Sequence, residues 1–527
     1  MKRLITSLAL GLLWVCTGAL AQTPADVLVI ARNLSAVYTF DPQEIFEIAQ
    51  ADALNNIYQR VVARSLSDAN AFEPAVASHW QFSADSRELR LRIDSGQVFH
   101  SGRPVSAEDV VFSLQRGVRL NKSTAYLIRH FGWDTAHLDQ AVRSEGNEVV
   151  LSFPRPLAHE FVLGVLASTV ASVLDRQAVL AHEQDGDSGN RWLKSHSAGS
   201  GPFQLEAWKA GEAIILRAAP HWPGKPLALS RIVIRHVPDP ATQKLLLERG
   251  DVDIALDLSA DQVRALAGNP AVSLRQVPRS SIVYLGLNQT QPALAQPKVR
   301  QALRWLIDYQ GIAADLLRGQ YVVSQSVIPP GMPDVLAATP YHLDVAKAKQ
   351  LLSEAGYPQG FSFDLDVFAF SPYLEIAQAL QASFAQAGVQ LKLNPMDTSQ
   401  VLTRYRERRH QGVLFLYATT VYDPASSTEF FAGADDLAAS APSSNAAWRN
   451  QWLSPQLKQT ATQALYELDP ARRNALYAQV QHELLDDSPI LPLLQVRDNL
   501  ALRSDVQGYR SFLGFDSGDY SEVRKAR

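Results

Sequence analysis

The stretch RELRLRIDSGQVFHSGRPVSAEDVVFSLQRGV, Arg87 to Val118, changes its hydrophobic period part-way along. Leu89, Leu91 and Ile93 alternate with charges, as in a strand that keeps one face in water. Beyond the turn residues, Val110, Val111, Leu114 and Val118 recur at helical spacing, with Ser106 and Asp109 placed as a capping box. The same switch recurs along the chain. Asp239 caps and Pro240 opens a helix that Gly250 ends, after which Val252, Ile254 and Leu256 alternate on a strand. Pro297 opens a helix over PKVRQALRWLIDYQGI, and Asp344 caps DVAKAKQLLSEAGYP. FSFDLDVFAF reads as a strand, YLEIAQALQASFAQAG as a helix and VQLKLN as a strand. Strand and helix alternate in both halves with no repeat at solenoid period, which predicts mixed α/β domains rather than a sandwich or a bundle.

Residues 1–21, MKRLITSLALGLLWVCTGALA, have a basic start, an apolar middle and Ala19-Leu20-Ala21 before Gln22, the pattern of a cleaved secretory signal peptide. Cys16 is the only cysteine and lies inside this segment, after a valine too large for lipoprotein processing. The exported chain therefore has no disulfide, thiol chemistry or thiolate metal ligand, and depends on its core for stability. Without Lys2 and Arg3 it carries 47 basic against 53 acidic residues, which gives no reason to expect nucleic acid as a partner. The expectation is a monomer of an extracytoplasmic space.

The motifs of catalysis fail in turn. HELLD, His482 to Asp486, has an aspartate where a zincin helix needs its second histidine, so no metal clamp forms. GSGPF at Gly199 sets its glycines too close for a nucleophile elbow, and no phosphate-cradling glycine motif occurs. DVDIALD from Asp251 lacks the glycine and terminal glutamate of a calcium loop and reads as a strand with solvated acids. No cofactor or metal is expected.

VASHWQFSADSRELRLRIDSGQVFHSGRPVSAEDVVFSLQR, Val76 to Arg116, resembles the signature region of the family 5 extracellular solute-binding proteins. These are the dipeptide, oligopeptide and nickel binders that serve ABC importers. GSGPFQLEAWKAGEAIILRAAPHWPG, LLLERGDVDIAL, VRQALRWLIDYQGI and DVAKAKQLLSEAGYPQGF follow in the family's order. The resemblance implies a type II, cluster C-like periplasmic binding protein: two α/β lobes closing on a ligand about a hinge, then read by a membrane permease. By that resemblance, residues 22–59, 195–278 and 490–527 form lobe I, 60–194 an inserted subdomain of it, and 279–489 lobe II. RSSIVYLGLNQT and SPILPLLQV are the implied hinge crossings.

The site follows by the same route. Peptide-binding relatives place an aromatic, then three residues later an aspartate for the peptide's ammonium, on the segment matching Tyr417 to Pro424. Here Tyr417 takes the aromatic's place and Thr420 the aspartate's, with Thr419 and Tyr422 beside them. A threonine hydroxyl offers an ammonium only a neutral hydrogen bond. Phe46 and Glu47, after DPQEI, and Tyr126, ten residues after Arg116, are implied by the resemblance to line the site, and Glu47 could supply the missing anion. Asp423 reads as a turn residue. A peptide or peptide-like ligand is expected. An opine, a sugar-like solute or a nickel chelate is the alternative on the same fold, and a secreted hydrolase or a periplasmic chaperone the rival from another class.

Overall fold

The computed structural model describes residues 23–526 except 46–47, 66–67, 69–70, 94–95, 123–124, 420, 442–444 and 512–517; the side chains of Ile48, Ala49 and Tyr126 also lie outside it. The expected signal peptide lies outside the described residues. Ten strands make the path of the main sheet: β1 (Val27–Arg32), β2 (Phe203–Lys209), β3 (Ala213–Ala218), β4 (Arg231–His236), β5 (Ile254–Ala255), β6 (Val272–Leu287), β7 (Ser362–Phe368), β8 (Gln390–Met396), β9 (Gly412–Ala418) and β10 (Ile490–Arg503). Their order is β8-β7-β9-β6-β10-β5-β1-β4-β3-β2, with a short strand, Tyr321–Val323, pairing off β10.

Two long strands tie the sheet together. β6 and β10 pair antiparallel from Val272↔Arg503 to Gly286↔Ile490, and the register breaks between Pro278 and Ile282. On one side of the break β10 continues to β5, and on the other β6 continues to β9. At the break Arg279 donates from Nε (2.8 Å) and Nη2 (2.5 Å) to Asp498 on β10. The crossing is thus a bulged, ion-paired two-stranded ribbon with a hydrophobic cluster on either side.

A separate four-stranded sheet, Ala77–Phe82, Glu88–Ile93, Glu148–Ser152 and Val142–Glu145, lies within residues 60–194. Leu89, Leu91 and Ile93 are buried on it as their alternation predicts. Helix α1 (Ala107–Leu120) carries the capping box of Ser106 and Asp109, and α2 (His159–Leu166) packs in the same core. Helix α3 (Pro240–Arg249) has Asp239 at its N-cap and Gly250 at φ 79°, the left-handed stop that glycine tolerates.

Three sequence expectations need correction. The helix from Pro297 ends at Trp305, and a wider-wound turn spans Gly311–Leu316, because Asp308 Oδ1 accepts from Gly311 N (2.9 Å) and starts a new segment. The strand expected over Val252 to Leu256 shrinks to Ile254–Ala255, and Asp253 is not solvated. It is buried, accepts from Val29 N (2.7 Å) and pairs with Lys525 Nζ (2.6 Å), fastening β1 to the C-terminal tail.

One hydrophobic cluster joins residues 61–173 to residues 421–477 across a seam. Val421, Ala425, Ala464, Leu465 and Tyr477 belong to the same cluster as Leu89, Phe99, Phe161 and Val170. Val421 and Ala425 join this cluster, whereas Tyr417, Tyr422 and Phe431 pack with Ile282 and Tyr284 in another.

Candidate functional site

β9 brings the chain to the seam, and its last ladder pairs are Ile282↔Tyr417 and Ser281↔Ala418. Thr419 N then donates to Ser280 O (2.9 Å), which stops the strand beside the bulged crossing. Asp423 caps helix α4 (Pro424–Ala432), its carboxylate accepting from Ala425 N (2.9 Å), and Pro424 takes the first helical position, where a missing N–H costs nothing. The reading of Asp423 as a turn residue therefore holds. The same carboxylate accepts twice from Arg473 Nη2 (2.9 and 2.7 Å), and the pair's side chains are 3% and 7% exposed. Arg473 comes from α6 (Pro470–Asp487), which follows α5 (Pro455–Tyr466). Burial pulls the guanidinium's pKa down, but Asp423 outweighs it and holds the value above that of a free arginine. A carboxylate already cap and ion-pair partner has little capacity for a ligand.

Of the residues expected at the site, Tyr417, Thr419 and Tyr422 are brought together within this turn. The Tyr417 ring stacks on Phe430 (centroids 4.6 Å, planes 22° apart) and meets the edge of Phe431 (4.9 Å). Thr419 Oγ1 donates to Val421 O (2.6 Å) and lies against Ser426 Oγ. The Tyr422 hydroxyl donates to Gly331 O, within lobe II. Tyr126 is on the helix Ala125–Arg129. Phe46, Glu47 and Thr420 lie outside the described residues.

Sequence reasoning missed Arg64, Gly164 and Phe430. Arg64, from the strand Val62–Arg64 of the inserted subdomain, sets its guanidinium 4.9 Å from the Tyr422 ring and 4.5 Å from that of Phe72. Arg64 Nη2 also donates to Tyr422 O (3.4 Å). Gly164 on α2 faces Val421, whose Cγ1 would stand 3.1 Å from a Cβ placed there. No local pattern marks either residue, because each is defined by a partner more than two hundred positions away. Phe430 was findable, since helical spacing from the Asp-Pro start sets the aromatic pair Phe430-Phe431 about two turns on. Farther along the seam, Arg155 stands 4.6 Å from the Tyr466 ring, beside a groove of about 950 Å³ between Arg155-Pro156 and α5–α6. That groove shares no lining residue with the turn at Tyr417.

Glu429 is the titrating group of this region. It follows Ala425 by one turn on the α4 face that meets the inserted subdomain, and its side chain folds over Gly433, where any Cβ would collide with it. Burial pushes its carboxyl up to about 7. Lys458 and Arg129 oppose that rise and Asp435 adds to it. A raised folded-state pKa stabilises at low pH, and that stability is lost as pH rises from the ordinary carboxylate range through about 7. His130, which faces the same charges, is pushed down to about 4 by burial and acts in the opposite sense, losing stability as pH falls. Glu429→Gln isolates the first effect: its melting temperature should exceed that of the unsubstituted protein at pH 8 and not at pH 5, as thermal unfolding at the two pH values will check. An equal difference at both would contradict it.

Two lobes joined by a bulged ribbon, meeting on an aromatic and hydroxyl-lined turn, form the architecture of a solute-binding protein. Among the described residues no helix is long and apolar enough to cross a membrane, and no group of three metal-ligating side chains occurs. The model of bacterial extracellular solute-binding proteins, family 5 (middle region), matches residues 71–438, and the chain belongs to this family. It is 28% identical over 523 residues to the probable D,D-dipeptide-binding periplasmic protein of Escherichia coli (strain K12), covering 97% of each chain. The ABC transporter-associated periplasmic binding protein DppA of Helicobacter pylori, solved in complex with the peptide STSA, superposes with TM-score 0.81 at 24% identity over 95% of this chain and 98% of that one. A binding protein from A. tumefacien R10 solved with mannopinic acid superposes with TM-score 0.79 at 21% identity over 96% and 100%. These likenesses establish the two-lobed fold.

Proposed function

We propose that the chain is a periplasmic receptor that captures a peptide or peptide-like solute between its lobes and hands it to the permease of an ABC importer, without catalysis. The observation that supports the reading is the shared core joining residues 61–173 to Val421 and Ala425, neighbours along the chain of the Tyr417–Phe430 stack. Ligand touching both lobes stabilises the closed form, because its full set of contacts exists only there, and shifts an open–closed equilibrium that a permease reads. The lobe boundaries given under Sequence analysis, export behind a cleaved leader and a monomeric state belong to the same proposal. The D,D-dipeptide and peptide-bound relatives support a peptide. The commitment of Asp423 to Arg473 favours the alternative, a solute without a free ammonium.

The test is mass spectrometry of whatever co-purifies in the cleft, followed by thermal shift with the identified compound, since a ligand that prefers the folded state raises the melting temperature. Gly164→Leu should then wedge the seam against Val421, lower affinity for that compound more than about tenfold, and enlarge the radius of gyration by small-angle scattering. Unchanged affinity and radius would refute closure along this seam, and turnover of the bound compound would refute a receptor without catalysis.

A further inference from the structure

Two arginines from residues 60–194 meet two tyrosines from residues 279–489. The Arg64 guanidinium stands 4.9 Å from the centre of the Tyr422 ring, with Phe72 on its own side at 4.5 Å, and its Nη2 donates to Tyr422 O (3.4 Å). Gly164 leaves room for this approach, since a Cβ there would stand 3.4 Å from Arg64 Nη2 and 3.1 Å from Val421 Cγ1. The Arg155 guanidinium stands 4.6 Å from the centre of the Tyr466 ring. The ion pairs of this region, Asp423 with Arg473 and Asp435 with Lys458, each lie within residues 279–489.

The kind of contact decides whether the two parts can separate. A buried ion pair pulled apart strands two charges away from water and would hold the parts together almost permanently. A cation above a ring strands nothing when it leaves, because the guanidinium regains its water. At an exposed site such a contact is worth about two- to fivefold in an equilibrium constant, and in an enclosed one up to about thirtyfold. Arg155 is exposed and Tyr466 half-buried beside the groove described above, so water reaches that contact. The Arg64 contact is the more enclosed, with Tyr422 8% exposed. Two contacts of this size favour the joined arrangement and keep it reversible.

We infer that Arg64 and Arg155 are positioning residues, cationic clasps on Tyr422 and Tyr466 that set the open–closed equilibrium and through it the apparent affinity for solute. They act through the fold and not on the solute. An apparent dissociation constant rises as the binding-competent fraction falls, so each clasp tunes affinity from a distance. The inference rests on the receptor reading and the lobe boundaries proposed above, and names the regulation of that site.

Cys16 lies in the expected leader, so the exported chain brings no thiol of its own, and Gln140→Cys with Lys349→Cys, both at exposed positions, gives one spin label on each part. Double electron–electron resonance on the full exported chain, with no solute added, reads the distance between the labels. Arg155→Ser should raise the ratio of long-distance to short-distance molecules about two- to fivefold, Arg64→Gln about five- to thirtyfold, and the pair by about the product. Tyr466→Leu should act as Arg155→Ser does, and adding Arg155→Ser to it should change nothing more, while Tyr466→Phe keeps the ring and should keep the parent's ratio. An unchanged ratio in the Arg64→Gln, Arg155→Ser protein overturns the inference, and, because no solute is used, it leaves the receptor reading standing. Equal effects of Tyr466→Phe and Tyr466→Leu overturn it too, since the ring would then not be what Arg155 holds.

Discussion

Arg473→Met is expected to cost roughly 3–5 kcal/mol of the stability of the second lobe, because it strands the Asp423 carboxylate in a site from which water is excluded. The reverse truncation, Asp423→Ala, strands the guanidinium and also removes the cap of α4, which adds about 1 kcal/mol. The paired variant Asp423→Asn with Arg473→Met leaves neither charge unpaired and should cost less than either single charge loss. Urea unfolding followed through the fluorescence of Trp448 and Trp452, both in this lobe, reads the loss. A midpoint shift below about a quarter of that expected would mean that water reaches the pair. Affinity should follow stability here, since α4 holds Phe430 against Tyr417, and a helix that frays at Asp423 loosens the wall proposed to meet the ligand.

The local elements were readable because their causes are local. The Ser106–Asp109 capping box, the Asp239-Pro240 start and the Gly250 stop each act within a few residues, and the structure places all three where period and caps put them. One misreading came from a distant partner and the other from a local turn. Asp253 looks solvated in DVDIALD until Lys525, far along the chain, is seen to close over it. The helix from Pro297 reads as unbroken because nothing in LIDYQGI announces that Asp308 will turn back on Gly311. The candidate site was legible only as one segment of chain, in which Asp423 behaves as Asp-Pro usually does. The positions of Arg64 and Gly164 were hidden, since each is set by a contact with Tyr422 or Val421 far along the chain, which a single sequence does not encode locally.

Asp41→Ala is the second variant expected to have a large effect, and it acts at the turn that precedes residue 46. The Asp41 carboxylate accepts from Arg116 Nη1 (3.0 Å) and Nη2 (2.6 Å), from Gln43 N (3.0 Å) and from Asn190 Nδ2 (2.7 Å). Asp41 is 0% and Arg116 1% exposed. Three separate parts of the chain, the turn at 41–45, α1 and the residues around Asn190, are fastened at this one group. Arg116 keeps Gln43 Oε1 (2.7 Å) and Ser188 O (2.8 Å) in the variant, but those neutral acceptors do not balance a buried guanidinium. The expected cost is roughly 3–5 kcal/mol, the usual penalty for orphaning one member of a buried pair. Asp41→Asn, which keeps the shape and part of the hydrogen bonding, should fall between. Because the turn leads directly into the segment proposed to carry Phe46 and Glu47, ligand affinity should fall along with stability. Hydrogen exchange in the peptide spanning residues 36–58 distinguishes the two: a loosened turn exchanges faster at native pH, before any global unfolding. Exchange unchanged in that peptide, with affinity lost, would place the effect of Asp41 on the ligand itself and not on the turn.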